Sequence, residues 1–344
     1  MKTSVTKSDL IDFLKGFSIL TIVCYHLFSQ YMESMPHIIK TAANFGSSGV
    51  LIFFFCSGFG LYYSFLKKPI SYKEFITKRL SKIYIPYIIF VLFASAFPFT
   101  YNGNDRLVAL SSHIFLFKMF INKYESSFGA HLWFMSTIIQ FYFIFYILTI
   151  VKNKLKNSLF IGVSILLHLI WVITLAHFGK EEDMVLIRFF IKYLFEFTLG
   201  MVAADIYLNK NITMKINKII LFGIVSFSIC LVGLTGSNAV WRLFNDIPAF
   251  IGYGGLAILI YLAKIKMINK LILFISKFSF EWYLVHMFIF KVMFKLSSKT
   301  ILSDVLIGSI AFGISLVVGY GYYYFIQKYI YKNLLTRKRF NQHA

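Results

Sequence analysis

Long apolar runs alternate with short polar connections along the whole chain. Most runs reach about 18–22 residues, the length at which a helix crosses a bilayer. The runs are continuous and do not alternate with period two, which excludes a membrane β-barrel. The pattern predicts an all-α membrane protein of ten spans, near residues 11–29, 45–66, 83–100, 132–151, 158–178, 186–208, 216–236, 246–263, 271–293 and 304–331. The last run is long enough to tilt or to continue past the bilayer. One connection, residues 101–131, is longer than the others, and its apolar middle predicts an interfacial or re-entrant helix.

Charge adds orientation to this picture. The 344 residues are 58% hydrophobic and only 14% charged, against about 25% charged in a soluble domain. A net charge of +21 would point a soluble protein toward nucleic acid. Here the basic residues fall in alternate connections, so no nucleic acid is expected, and anionic membrane lipids are the expected partner. One set of segments holds Lys2 and Lys7, then Lys67, Lys68, Lys73, Lys78, Arg79 and Lys82, then Lys152, Lys154 and Lys156. It continues with Lys210, Lys215 and Lys218, then Lys264, Lys266 and Lys270, and ends with Lys332, Arg337, Lys338 and Arg339. The other set holds most of the acids: Glu33, Asp105, Glu125, Glu181, Glu182, Asp183 and Asp304. Both termini are therefore expected in the cytoplasm.

The basic start and apolar centre of the N-terminus suggest a signal peptide. Asp9, Asp12 and Lys15 interrupt it and no small-residue cleavage site follows, so it reads as a retained first helix. Residues 1–344 are expected to form one membrane domain, with no fused extracytoplasmic domain. Cys24, Cys56 and Cys230 all lie in apolar runs and show neither a disulfide framework nor metal-ligand spacing, so no metal is expected.

Ionisable residues inside spans carry the functional signal, because each costs about 2.5–3.5 kcal/mol at a helix centre. The set is Asp12, Lys15, His26, His168, Glu196, Asp205, Glu281, His286 and Lys291. Lys15 and His26 are eleven residues apart in "FLKGFSILTIVCYH". That spacing returns to within about 20° of the same helix face, with a rise of about 16–17 Å. Asp12 sits one turn before Lys15, close enough to pair with it. A neutral imidazole at His26 suits general-base work. Arg79 and Lys82 share a helix face in "FITKRLSKIYIPY" and could hold phosphates. Ser57-Gly58 interrupts an aromatic run, as small residues do where helices approach closely. His131 and Trp133 open the fourth span, and Glu281, Tyr283 and His286 cluster in "SFEWYLVHMFIF". Glu196 lacks a basic neighbour on its own face and needs a partner from another helix. His168 has no supporting pattern and reads as a packing residue. Gly-rich phosphate loops, G-x-S-x-G elbows and H-E-x-x-H motifs are absent.

Five stretches in order resemble acyltransferase family 3, whose membrane proteins transfer acyl groups to surface carbohydrates. They are "FLKGFSILTIVCYH", "FFFCSGFGL", "KRLSKIYIPY", "HLWFMSTIIQFYF" and "SFEWYLVHMFIF". The chain departs from the family pattern in having Lys15 and Lys82 where arginines are usual. Ile138 stands where many members carry a glutamate.

The resemblance implies an O-acyltransferase, expected to be O-acetyl, in a bacterial plasma membrane. Acetyl-CoA or another acyl-CoA is the implied donor substrate, with no permanently bound cofactor. A cell-envelope or exported polysaccharide, or its lipid-linked precursor, is the implied acceptor. Arg79, Lys82 and Lys15 are expected to hold the donor. His26, Lys15, His286 and Glu196 are expected to serve catalysis, with His26 as general base or transient acyl carrier. His131, Trp133 and Tyr283 are expected to bind substrate. A homo-oligomer or a separate extracytoplasmic partner fits the missing fused domain. The alternative class is a transporter or exporter that uses the buried charges as a proton or substrate path. A sensor or scaffold would explain none of those charges.

Overall fold

Apolar runs of this length satisfy their backbone groups only as helix when lipid surrounds them. The computed structural model describes residues 7–209, 217–236, 238–297 and 303–332, and no strand occurs among them. Lys2, Lys210, Lys215, Arg337, Lys338 and Arg339, which enter the charge reading, lie outside the described residues.

The helices are α1 Lys7–Gln30, α2 His37–Phe45, α3 Gly49–Lys67, α4 Tyr72–Ser95, α5 Arg106–Ile114, α6 Asn122–Glu125, α7 Trp133–Lys154 and α8 Asn157–His177. They continue with α9 Leu194–Asn209, α10 Lys218–Thr235, α11 Ala239–Arg242, α12 Asp246–Leu262, α13 Lys266–Ser276, α14 Ser279–Ser297 and α15 Asp304–Phe325.

Six helical stretches are long and apolar enough to cross a membrane: Asp9–Gln30, His37–Lys67, Ala130–Lys154, Asn157–His177, Lys218–Thr235 and Asp304–Tyr331. Four of the ten expected spans fall short of that test, each for a local reason. The 83–100 run lies in α4, which spends its first half on basic residues and stops at Ser95. The 186–208 run opens with two 3₁₀ turns, leaving α9 only 16 residues. Helix α12 has 17 residues. The 271–293 run is broken between α13 and α14, which meet at 84°. Counted as one bent span, that pair raises the total to seven.

Helix α3 packs along α9, α14 along α15, α10 along α12 and α1 along α13. Glycines set the closest approach. A Cβ on Gly58 would fall on the Phe197 carbonyl oxygen, and one on Gly200 would fall on that of Phe55. Small residues thus bring two backbones together, the reading that Ser57-Gly58 suggested.

Pro86 inside α4 has no N–H and leaves the carbonyl four residues back without its helical partner. That carbonyl belongs to Lys82, and the Tyr331 hydroxyl donates to it at 2.6 Å. Tyr322 donates to the Pro86 carbonyl at 2.5 Å. The C-terminal helix therefore repairs the proline defect and fixes the backbone beneath Lys82.

Candidate active site

Three helical elements bring three histidines together. His26 comes from α1, His286 from α14, and His131 from the 3₁₀ turn Ala130–Leu132 just before α7. His26 Nδ1 lies 2.8 Å from His286 Nε2. The rings of His131 and His286 are 5.0 Å apart, edge to face, and those of His131 and His26 are 6.4 Å apart.

Backbone carbonyls decide where the protons sit. His286 Nδ1 faces the carbonyls of Tyr283 at 2.8 Å and Trp282 at 3.2 Å. Carbonyls only accept, so Nδ1 carries the hydrogen and a neutral His286 has its lone pair on Nε2. His26 must then donate from Nδ1 to His286. Its own Nε2 is left with a lone pair and no hydrogen-bond partner among the described residues. His26 lines an open chamber, so that lone pair is available to a substrate hydroxyl. His286 stands behind His26 in the position a carboxylate occupies behind the histidine of a hydrolase triad, with two carbonyls behind it in turn.

The same reasoning fixes His131. Its Nε2 lies 3.2 Å from the Leu284 carbonyl and donates to it. Its Nδ1 is buried and has no partner among the described residues. Tyr283 donates its hydroxyl to the His131 carbonyl, which anchors the turn to α14. Gly129 precedes the turn at φ +154, and a Cβ there would lie 2.7 Å from the His131 ring. Only glycine lets the chain enter the turn at that distance. No group of three metal-ligating side chains suited to an ion occurs among the described residues.

Three adjoining cavities lie at or next to these histidines. The first, about 230 Å³, is lined by His26, His131, Trp133, Arg188, Gln30 and Tyr283, among others. The second, about 370 Å³, is lined by Lys15, Arg79, Lys82, Ser57, Tyr142 and Ser279, among others. The two share Ile22, Val50, Phe134 and Tyr283 as walls. The third, about 270 Å³, contains Lys291 and Ser126 and shares Gln30, Ala130, His131 and Met287 with the first. The cavities are therefore neighbours in series, with His26 and His131 on the wall of the middle one and His286 buried behind His26.

Lys15, Arg79 and Lys82 converge on the second cavity, as their charge and spacing suggest. Lys15 also pairs with Asp12 at 3.2 Å. From Lys15 to His26, α1 climbs about 16–17 Å, and its shared face walls both cavities through Ile22.

The long connection of residues 101–131 folds over the other end. Helix α5 and a 3₁₀ turn at Phe117–Phe120 leave Leu107, Phe115 and Phe120 exposed, as an interfacial segment requires. Asp105 ties the loop together, accepting from Lys123 at 2.6 Å, Tyr124 at 2.7 Å and Tyr101 at 2.8 Å. Those three partners, Lys123 first, hold its carboxyl below the usual range. Inside the loop, Lys118 and Glu125 are almost wholly buried. Burial brings the Lys118 ammonium down to about 8, with Glu125 opposing that shift. Burial also raises the Glu125 carboxyl, against the pull of Lys118 and Arg188.

Arg188, which no sequence motif marks, reaches the histidine chamber. Its guanidinium donates to Glu125 and lies 5.3 Å from the centre of the Trp133 ring. Trp133 is also stacked on Tyr193 at 5.7 Å. The only sequence signal for Arg188 was a charge at the start of an apolar run, which looks like an ordinary interface residue.

Glu196 is not brought to the cavities. It is fully buried, neither carboxylate oxygen has a hydrogen-bond partner among the described residues, and none of the three chambers includes it. Its neighbours are Lys192 and Asp246, which form an ion pair at 3.1 Å without hydrogen-bond alignment. His168 joins this group through the Lys192 carbonyl. Asp205 is likewise apart, paired with Lys152 at 2.9 Å. Glu281 lies near Lys82, and Lys291 lines the third cavity.

Comparison with curated proteins and with solved structures returned no match. A family model described as an acyltransferase domain matches residues 9–324. That range takes in all three histidines, the basic cavity mouth and the loop that roofs the chamber, so the chain belongs to acyltransferase family 3, a family of membrane acyltransferases.

Proposed function

We propose that the protein moves a short acyl group, acetyl in the simplest case, from acyl-CoA to a hydroxyl of a cell-envelope or exported polysaccharide, or of its lipid-linked precursor. The observation that carries this reading is a basic cavity leading, through shared walls, to a paired histidine with a free lone pair. Arg79, Lys82 and Lys15 would hold the phosphates of coenzyme A from the cytoplasmic side, since clustered cations complement them. The pantetheine arm would follow the second cavity toward Ile22 and Phe134.

The acceptor hydroxyl would meet His26 Nε2 in the first cavity. His26 takes the hydroxyl proton as the oxygen attacks the thioester carbonyl. Collapse of the tetrahedral intermediate breaks the C–S bond, and the leaving thiolate takes that proton back from His26. His286 keeps His26 in the correct tautomer, and the carbonyls behind it favour the transient imidazolium. The low polarity around this pair strengthens the hydrogen bonds that hold His26 and His286 together.

The test uses membranes that contain the full chain. Acetyl-CoA labelled in its acetyl group should pass label to de-O-acylated envelope polysaccharide, and none should pass without the chain. Absence of both label transfer and coenzyme A thioester binding would overturn the proposal.

A further inference from the structure

The walls of the three cavities hold five lysine and arginine side chains, Lys15, Arg79, Lys82, Arg188 and Lys291, and no carboxylate. Three of the five serve the donor end in the reading above. Arg188 and Lys291 lie beyond the histidines, in the cavities left for the acceptor.

Arg188 is built into its place. Glu125 accepts from one of its terminal nitrogens, and its guanidinium carbon lies over the Trp133 ring, 5.3 Å from the centre. A guanidinium has five N–H donors, and no other side-chain bond from Arg188 is formed among the described residues. The remaining donors are free to meet a ligand in the chamber. Glu125 does not neutralise the surroundings by itself. Lys118, 1% exposed, lies in the same cluster, and its ammonium has no hydrogen-bond partner among the described residues. Two cations therefore face one carboxylate behind the chamber wall. A buried excess of one charge is costly unless a counter-charge completes it.

We infer that the acceptor is anionic, and that a carboxylate or phosphate oxygen of the acceptor docks on Arg188 while its hydroxyl is presented to His26. This rests on the proposed acyl transfer and specifies its substrate class. Trp133 becomes a positioning residue that holds the Arg188 guanidinium at the chamber wall. Lys291 supplies further positive potential along the third cavity. A planar donor fork is the group best matched to such oxyanions, and lysine replaces it poorly.

The experiment uses the full-length protein in nanodiscs, with labelled acetyl-CoA and three forms of the de-O-acylated envelope polysaccharide. One form is native, one has its carboxyls reduced to alcohols, and one has its phosphates removed. We expect one of the two treated forms to lose at least tenfold in kcat/KM, and which form loses identifies carboxylate or phosphate. Arg188→Gln should raise KM for the native polymer about tenfold and erase its advantage over the treated form. Arg188→Lys should recover only part of it. Acyl-CoA binding checks that each variant is folded, and a variant that has lost it is replaced by Trp133→Leu, for which a smaller KM rise is expected. Equal transfer to all three forms by the wild-type protein would overturn the anionic acceptor while leaving acyl transfer intact. Failure to transfer to any form, together with failure to bind acyl-CoA, would overturn both.

Discussion

Two buried polar clusters lie in this molecule, and they differ in what surrounds them. One joins His26, His131 and His286. The other joins His168, Lys192, Glu196 and Asp246. Both contain histidine and both sit among apolar helices. The first is open: it borders cavities, and two of its ring nitrogens keep lone pairs that nothing in the described residues uses. The second is closed off from them: Glu196 and His168 line none of the three cavities described, and the ion pair between Lys192 and Asp246 ties α12 to the turn before α9. A buried ionisable group is therefore a pointer to chemistry only when space stands beside it.

Substitutions separate the two clusters. The largest expected effect is at His26. His26→Ala removes the proposed base and should lower acyl transfer about 10²–10⁴-fold at unchanged membrane abundance, read by labelled product against a blot. In the closed cluster the effect should move from rate to stability. Lys192→Met leaves the Asp246 carboxylate without its cation and should cost about 3–5 kcal/mol. The expected readout is a lower thermal midpoint and reduced abundance, with transfer per folded molecule within about twofold of wild type. A normal midpoint joined to lost transfer would reverse the two roles.

The entry turn gives a smaller, mixed effect. Gly129→Ala forces a side chain into the left-handed region and onto the His131 ring, a strain of about 1–3 kcal/mol. Both the thermal midpoint and the KM for acceptor should suffer. The mildest change is at the donor mouth. Lys15→Arg keeps the charge and should retain most transfer, whereas Lys15→Ala should raise KM for acyl-CoA severalfold. Equal loss in both variants would mean that shape rather than charge matters at Lys15.

Much of this was legible in the chain. The apolar runs predict the all-helical class, and six of the expected spans are found as full-length apolar helices. The face shared by Lys15 and His26 follows from helical geometry, and both residues line adjoining cavities. What was not legible depended on breaks and on distant partners. The kink between α13 and α14 follows no proline or glycine pattern in Ser276-Lys277-Phe278. The 3₁₀ turns before α9 interrupt a run that hydropathy alone reads as continuous. Glu196 and His286 look alike in sequence, since each is one ionisable group in an apolar run. Only the packing of other helices gives one a histidine partner beside a chamber and the other a sealed ion-pair neighbourhood. Arg188 carries no legible signal because its partners, Glu125 and Trp133, are more than fifty residues away in the chain.

The central claim is that His26 and His286 act as one unit, with His286 fixing the tautomer that makes His26 a base. A double-mutant cycle on acyl transfer measures this most directly. His286→Gln alone should cost a large part of what His26→Ala costs. The account predicts that the double variant is no slower than His26→Ala alone, because an orienting group has nothing left to orient. Losses that multiply across the two positions would contradict it.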